Sequence, residues 1–420
     1  MGQTLPMPTR ARRAVALLVT VALAGACGGG GSGGDDAEDG GAGSGDAASG
    51  AGDAGPEVFA GDDFYAVPDP LPQGEHGDLL RYEQVDDSQV AGATQWRVMY
   101  LSESLPGDPI AVTGTVVVPD GDAPEGGRDV VSIAHGTTGI ADECAPSLAA
   151  DAREDALAGL AVDGGYVIAT SDYEGLGTPG RHPYLVGESE GRGVLDAALA
   201  AGQLPGVEVS DRLAVAGYSQ GGHGALWAGQ LAAEWTPELE LVGTFAGAPA
   251  TELPVIFSAA GGLRIAGFLY MIVAGFEAAY PGEADPSLLL TPAGVEALDV
   301  VDDGCAGEVI EHIAGLSSDD LLRPDPGAVE PWATLAAEND PGRVRTDSPV
   351  LIVHSEADEV VPATLSALLF ERMCGLGQQV DRRVYDTGQG HGDAAPQAYV
   401  EGFAWIADRF AAEPAVSTCA

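Results

Sequence analysis

Apolar positions recur along this chain in two rhythms. Short runs at 95–100 and 110–118 read as strands of an opening antiparallel piece. Further runs near 129–134, 165–170, 212–217, 240–246, 349–354 and 381–386 alternate with helical stretches such as 151–162 and 188–201. Strands separated by helix-length segments need crossover connections, so the alternation predicts an α/β fold with a mainly parallel central sheet flanked by helices. Between 251 and 345 the rhythm breaks into helical apolar segments punctuated by Pro and Gly, which reads as an inserted helical cap. Its most apolar stretch, 263–280, carries Arg264 and Glu277, and these leave an uncharged core too short to span a bilayer.

The amino terminus follows neither rhythm. Arg10, Arg12 and Arg13 precede an apolar run over 14–24, the n-region and h-region of an export signal. Leu23-Ala-Gly-Ala-Cys27 resembles a bacterial lipobox with its leucine one position further out than usual, whereas Ala24-Gly-Ala26 suits an ordinary signal peptidase. Both readings cut before Cys27. The following run, 28–55, is Gly, Asp, Ala and Ser with hardly an apolar side chain beyond alanine, too little to offset the entropy of folding. The expected organisation is a signal peptide at 1–26 and a lipidated Cys27 with a disordered tether at 27–57. A core made of 58–250 and 346–420 follows, with the cap at 251–345. Five cysteines are odd for an exported protein, but assigning Cys27 to lipid leaves Cys144, Cys305, Cys374 and Cys419, which allow three disulfide pairings.

Charge and composition remove several function classes. All 18 basic residues are arginine, so no lysine exists for Schiff-base chemistry, a Walker-type phosphate loop or a Ser–Lys dyad. A formal charge of −46 repels phosphate backbones, so no nucleic-acid partner is expected. No H-E-x-x-H or Cys/His cluster of metal-ligand spacing occurs, and neither a metal nor an organic cofactor is expected.

The chemistry centres on Leu213-Ala-Val-Ala-Gly217-Tyr-Ser219-Gln-Gly221-Gly-His-Gly-Ala. An apolar run enters a G-x-S-x-G turn and a helix-compatible run leaves it, the setting in which this motif places a nucleophilic serine on a tight turn. With 61 glycines in the chain, the strand–turn–helix setting carries the argument rather than the motif alone. In this arrangement the N–H of Gln220 faces an oxyanion. A second donor is expected from the backbone of Thr137 or Thr138, in the loop His135-Gly-Thr-Thr-Gly139 after the 129–134 strand. Downstream, Asp358 lies in a loop past the 349–354 strand, with Glu356 and Glu359 as local competitors. His391 lies in a glycine-rich loop past the last strand. The order Ser219, Asp358, His391 is that of a hydrolase triad, with His391 as general base and Asp358 as its orienter. His223, four residues past Ser219 on the same helix, is expected to point away from the elbow, and His354 to support the acid loop. His76, His182 and His312 have no catalytic context.

Taken together, these segments resemble the secretory, lipase-A-like lipases of the α/β-hydrolase superfamily. His135-Gly-Thr-Thr-Gly139, Asp142-Glu-Cys144-Ala-Pro-Ser147, Asp172-Tyr-Glu-Gly175, Gly217-Tyr-Ser-Gln-Gly-Gly222, Gly247-Ala-Pro-Ala-Thr251, Asp358 and His391 carry the resemblance, which covers the chain from about Asp62 onward. It implies hydrolysis of triacylglycerol or other esters, and a helical cap between the nucleophile half and the acid–histidine half. It also implies the pairings Cys144–Cys305 and Cys374–Cys419. The cap residues match the family's acyl tunnel poorly, so acyl-chain preference is not carried over. An acyltransferase, a peptidase or a catalytically silent surface-binding module on the same fold are the competing expectations.

Overall fold

A strand covered on both faces must be apolar along its whole length, and the central runs meet this demand. The structure is a computed structural model and describes residues 55–86, 88, 90–148, 152–259 and 266–419. The export segment, Cys27 and the tether up to residue 54 lie outside the described residues. The strands are β1 (Glu57–Val58), β2 (Leu79–Gln84), β3 (Ala93–Glu103), β4 (Pro109–Pro119), β5 (Arg128–Ala134), β6 (Val167–Ser171), β7 (Val209–Tyr218), β8 (Glu240–Gly247), β9 (Val350–Ser355) and β10 (Val380–Tyr385). They form one sheet in the order β1-β2-β3-β4-β6-β5-β7-β8-β9-β10. From β6 to β10 every neighbouring pair is parallel; β2–β3, β3–β4 and β4–β6 are antiparallel, as expected for the opening piece. The sheet is therefore mainly parallel, as the alternation predicts. β1 and β2 were not legible: β2 reads Leu-Leu-Arg-Tyr-Glu-Gln and keeps part of its surface in solvent, so its apolar signal is diluted.

The helices are α1 (Ala152–Gly164), α2 (Gly187–Ala201), α3 (Gln220–Trp235), α4 (Leu253–Ala259), α5 (Ala266–Ala279), α6 (Pro292–Glu296), α7 (Ala306–Ala314), α8 (Ser318–Leu321), α9 (Trp332–Glu338), α10 (Ala363–Gly375) and α11 (His391–Phe410). Alternate strand residues feed the two faces of the sheet. Val130, Leu213 and Val215 pack with Val194 and Leu195 of α2 and Ala225 and Ala228 of α3. Val131, Ile133, Ala214 and Ala216 pack with Ala158 of α1 and Phe403 and Ile406 of α11. The chain steps from β5 to β6 on one side and returns to β7 on the other. This reversal opens a crevice at the carboxyl ends of β5 and β7, where ligands bind in such sheets.

Helices α4 to α9 all lie between β8 and β9, and they build a core of their own. Trp332 stacks on Phe276 at 6.1 Å between ring centroids, with Phe257, Leu269 and Val309 buried in the same cluster. That cluster continues onto the sheet domain through Ile140, Tyr184, Leu185 and Val186. The apolar stretch expected at 263–280 is helical over Ala266–Ala279 and buried along most of its length. Among the described residues, no helix is long and apolar enough to cross a membrane.

Among the described residues, two disulfides close the structure. Cys144–Cys305 joins the segment after β5 to the start of α7, and Cys374–Cys419 joins α10 to the carboxyl-terminal tail. Their sequence separations are 161 and 45 residues. Loop-closure entropy then gives about 5 and about 4 kcal/mol of stabilisation as upper values. Removing Cys144–Cys305 by paired alanines is thus expected to cost more stability than removing Cys374–Cys419, measured by urea unfolding. Equal midpoints for the two paired variants would contradict that order.

Candidate active site

β7 runs into α3 through Ser219, whose backbone stands at φ 62°, ψ −121°. A residue with a Cβ is strained there and persists only where its neighbours over-determine it. The Ser219 N–H donates to Gly247 O (2.9 Å), and its carbonyl accepts from the N–H groups of His223 and Ala250 (both 3.1 Å). The flanking glycines are required by close approach: a Cβ on Gly217 would lie 2.0 Å from Gly221 O, and one on Gly221 would lie 2.0 Å from Ala134 O. The second approach presses the elbow against the end of β5, whose following loop begins at His135.

His391 reaches Ser219 from the far side of the crevice. Its Nδ1–H donates to Asp358 Oδ2 at 2.6 Å, which leaves Nε2 to accept the Ser219 hydroxyl at 2.9 Å. The glycine-rich loop expected to hold His391 ends before it, at Gly390, and His391 is the first residue of α11. Three contacts hold it: Tyr218 O–H donates to His391 O (2.7 Å), the Tyr218 ring packs on the imidazole at 5.1 Å, and His391 N–H donates to Glu359 Oε2 (3.0 Å). Of the acidic residues around 356–359, Asp358 therefore faces the imidazole, Glu359 serves the backbone, and Glu356 is exposed.

Asp358 is buried, with Oδ1 accepting the N–H groups of Val360 (2.9 Å) and Val361 (2.8 Å). His354 Nε2–H donates to Val361 O (2.8 Å) and stands 3.3 Å from Asp358 Oδ2. Burial alone would raise the Asp358 carboxyl. The hydrogen bonds from His354 and His391, the charge of His391 and the Val361 N–H outweigh it and hold the group below the ordinary carboxylate range.

α3 begins at Gln220, so the Gln220 N–H is among those a helix leaves without an intrahelical partner. The loop after β5 lies beside it. Thr138 O accepts the Ala306 N–H (2.7 Å), Gly139 bridges to Cys305, and the hydroxyls of Thr137 and Tyr184 are hydrogen-bonded at 2.7 Å. The Asp172-Tyr-Glu-Gly turn is a buttress for this loop. Asp172 accepts from Thr113 Oγ1 (2.7 Å), Ser147 N (2.9 Å) and Ser147 Oγ, and Tyr173 O–H donates to His135 O (3.0 Å). His76 pairs with Asp196 (2.7 Å) and His312 is exposed. His182 and His223 are buried beneath the elbow, and burial lowers the His182 imidazole to about 4. Around them lies a layer that sequence reasoning missed, centred on Glu190. One acid among 64, in an ordinary helical pattern, carries no signal of its own.

Among the described residues, Glu143, Cys305 and Glu308 bring three potential ligand atoms together. Cys305 is bonded to Cys144, and Glu308 accepts the Cys305 N–H (3.0 Å) at the start of α7, so this group serves the fold.

The arrangement has known relatives. A family model described as secretory lipase matches residues 152–418. The secreted triacylglycerol lipase LIP4 of Malassezia globosa is 26% identical over 389 residues, covering 85% of this chain and 82% of the relative. A probable inactive lipase of Mycobacterium tuberculosis is 26% identical over 388 residues, covering 86% and 84%. The crystal structure of Candida antarctica lipase A superposes with a TM-score of 0.74 at 22% identity, covering 85% of this chain and 87% of that one. The chain belongs to the secretory lipase family, carboxylic ester hydrolases of the α/β-hydrolase fold.

Proposed function

We propose that Ser219, His391 and Asp358 act as a catalytic triad that cleaves acylglycerol or other fatty-acyl esters outside the cytoplasm. The observation that carries this reading is the unbroken chain from Ser219 Oγ through His391 Nε2 and Nδ1 to Asp358 Oδ2, at 2.9 and 2.6 Å. Ser219 Oγ attacks the ester carbonyl as His391 Nε2 takes its proton, and Asp358 stabilises the imidazolium. The N–H of Gln220 and one from Thr137 or Thr138 hold the oxyanion. His391 returns the proton to the leaving alcohol, giving an acyl-Ser219 ester. It then deprotonates a water that releases the fatty acid. The helical insertion acts as a cap over the acyl group.

The test is hydrolysis of p-nitrophenyl esters from acetate to palmitate. Turnover extending to the long chains is the expected result and makes the protein a lipase. Turnover confined to short chains makes it an esterase of small esters, and a folded protein with none overturns the reading. The probable inactive relative favours a second reading, a silent binding module on the same scaffold. Against it stands the aligned hydrogen-bond chain. An alcohol acceptor added to the assay separates transfer from hydrolysis.

Export rests on the signal pattern of the amino terminus and on a relative named as secreted. With Cys27 lipidated, Cys27→Ser is expected to release the protein from the membrane fraction into the medium, read by fractionation and immunoblot. A wild-type protein already free in the medium would contradict the anchor.

A further inference from the structure

Beneath the elbow lies a buried polar layer that the mechanism above does not use. Glu190 of α2 and His223 of α3 have no exposed surface. Glu190 Oε1 accepts the Gln220 Nε2–H (2.8 Å) and the Leu185 N–H (3.0 Å), and Glu190 Oε2 lies 2.6 Å from His223 Nδ1. His223 Nε2 lies 2.8 Å from Asn339 O, a carbonyl that only accepts, so Nε2 carries a proton. His182 Nδ1–H donates to Glu174 O (2.9 Å), which leaves its Nε2 to accept from Gln220 Nε2 at 3.1 Å. Both amide hydrogens of Gln220 are thus assigned, and the residue whose backbone N–H faces the oxyanion is anchored by its side chain to Glu190.

This inventory dictates a charge state. With Nε2 protonated, the short contact between Glu190 Oε2 and His223 Nδ1 must contain a proton, whichever atom carries it. The pair therefore has no net charge. A bare carboxylate in this position would oppose the negative charge that develops on the substrate, in a medium that screens it poorly.

We propose that Glu190 and His223 are positioning residues that lock the oxyanion donor Gln220 in place while His223 supplies the proton that keeps the support uncharged. The inference rests on the oxyanion role given to Gln220 above. Other titratable groups facing Glu190 are His182 and Tyr184 from the loop before α2, Tyr173 from the turn after β6 and His135 after β5. Burial lowers the imidazoles of His135 and His182 and raises both phenols. These four groups are thus uncharged at neutral pH, and His223 is left as the compensating group.

The test compares wild type, His223→Asn, Glu190→Gln and the double variant. Each is assayed for kcat and KM on p-nitrophenyl butyrate from pH 5.5 to 9, with Tm and fluorophosphonate labelling alongside. His223→Asn leaves Glu190 without a titratable partner. Its kcat is expected to fall about tenfold or more with KM little changed, and its pH profile to depart from the wild-type shape because the group that compensates Glu190 is gone. Gln at 190 can accept from Gln220 and Leu185 through its oxygen and donate to His223 Nδ1 through its nitrogen. Glu190→Gln should therefore retain most of kcat, and the double variant should recover the wild-type shape of the pH profile. A purely structural role would lower Tm without moving that shape. A His223→Asn profile parallel to wild type, or a double variant that is not restored, overturns the inference. If His223→Asn fails to fold, Glu190→Gln decides alone: retained kcat supports the uncharged support, and a tenfold loss in the folded protein overturns it. A wild type with neither turnover nor labelling defeats the triad reading itself, an outcome separate from these.

Discussion

Ser219→Ala is expected to lower kcat for ester hydrolysis by about 10⁴- to 10⁶-fold, the range over which removing an activated serine acts on its own. Among the described residues the hydroxyl is hydrogen-bonded to His391 Nε2 at 2.9 Å, so its loss removes the nucleophile and that one contact. The backbone at 219 is positioned by Gly247, His223 and Ala250, and none of those bonds uses the side chain. Tm should therefore hardly move while turnover disappears, and parallel measurement of kcat and thermal unfolding checks the pair of outcomes. Full activity in the variant would place the chemistry elsewhere.

Asp358→Asn is expected to cost about 10⁴-fold in kcat, for a reason of orientation rather than size. Oδ1 of Asp358 accepts the N–H groups of Val360 and Val361, so the Asn carbonyl oxygen is held in that place. The amide nitrogen then faces His391 Nδ1, where Oδ2 now accepts at 2.6 Å. A donor there leaves His391 with its proton on Nε2, unable to take one from Ser219. The pH consequence carries a definite sign. The Asp358 carboxyl is held below its ordinary range, so the stability it contributes is present above the unfolded carboxylate pKa and is lost only as pH falls through the lower, folded one. Unfolding of wild type and variant compared at neutral pH and in strong acid, below the ordinary carboxylate range, reads this. A variant that keeps wild-type kcat contradicts the orienting role.

The sheet was legible because its central strands are buried on both faces and read as unbroken apolar runs. β2 escaped notice because Arg81 and Glu83 stand within it on the partly solvated side of the sheet. The elbow declared itself through Gly217 and Gly221, where backbone lies 2.0 Å from any added Cβ. His391 was legible as a histidine after the last strand, but not as the start of a helix, because Gly390 and Gly392 suggest a loop on both sides. Asp358 was chosen over Glu356 and Glu359 from its loop past the strand, and the structure adds that its carboxylate is the one facing His391 Nδ1. Glu190 and His223 lie on separate helices, α2 and α3, and Asn339, whose carbonyl meets His223, lies at the end of α9 within the insertion. Only the packing of three segments under the elbow joins them, and no local periodicity reports such a junction.

The most direct test of the central claim is reaction of the folded protein with a fluorophosphonate, followed by mass mapping of the modified peptide. The account predicts one adduct per chain, on Ser219, formed in the wild type and absent from Ser219→Ala. An unlabelled wild type, or an adduct on a different residue, would contradict it.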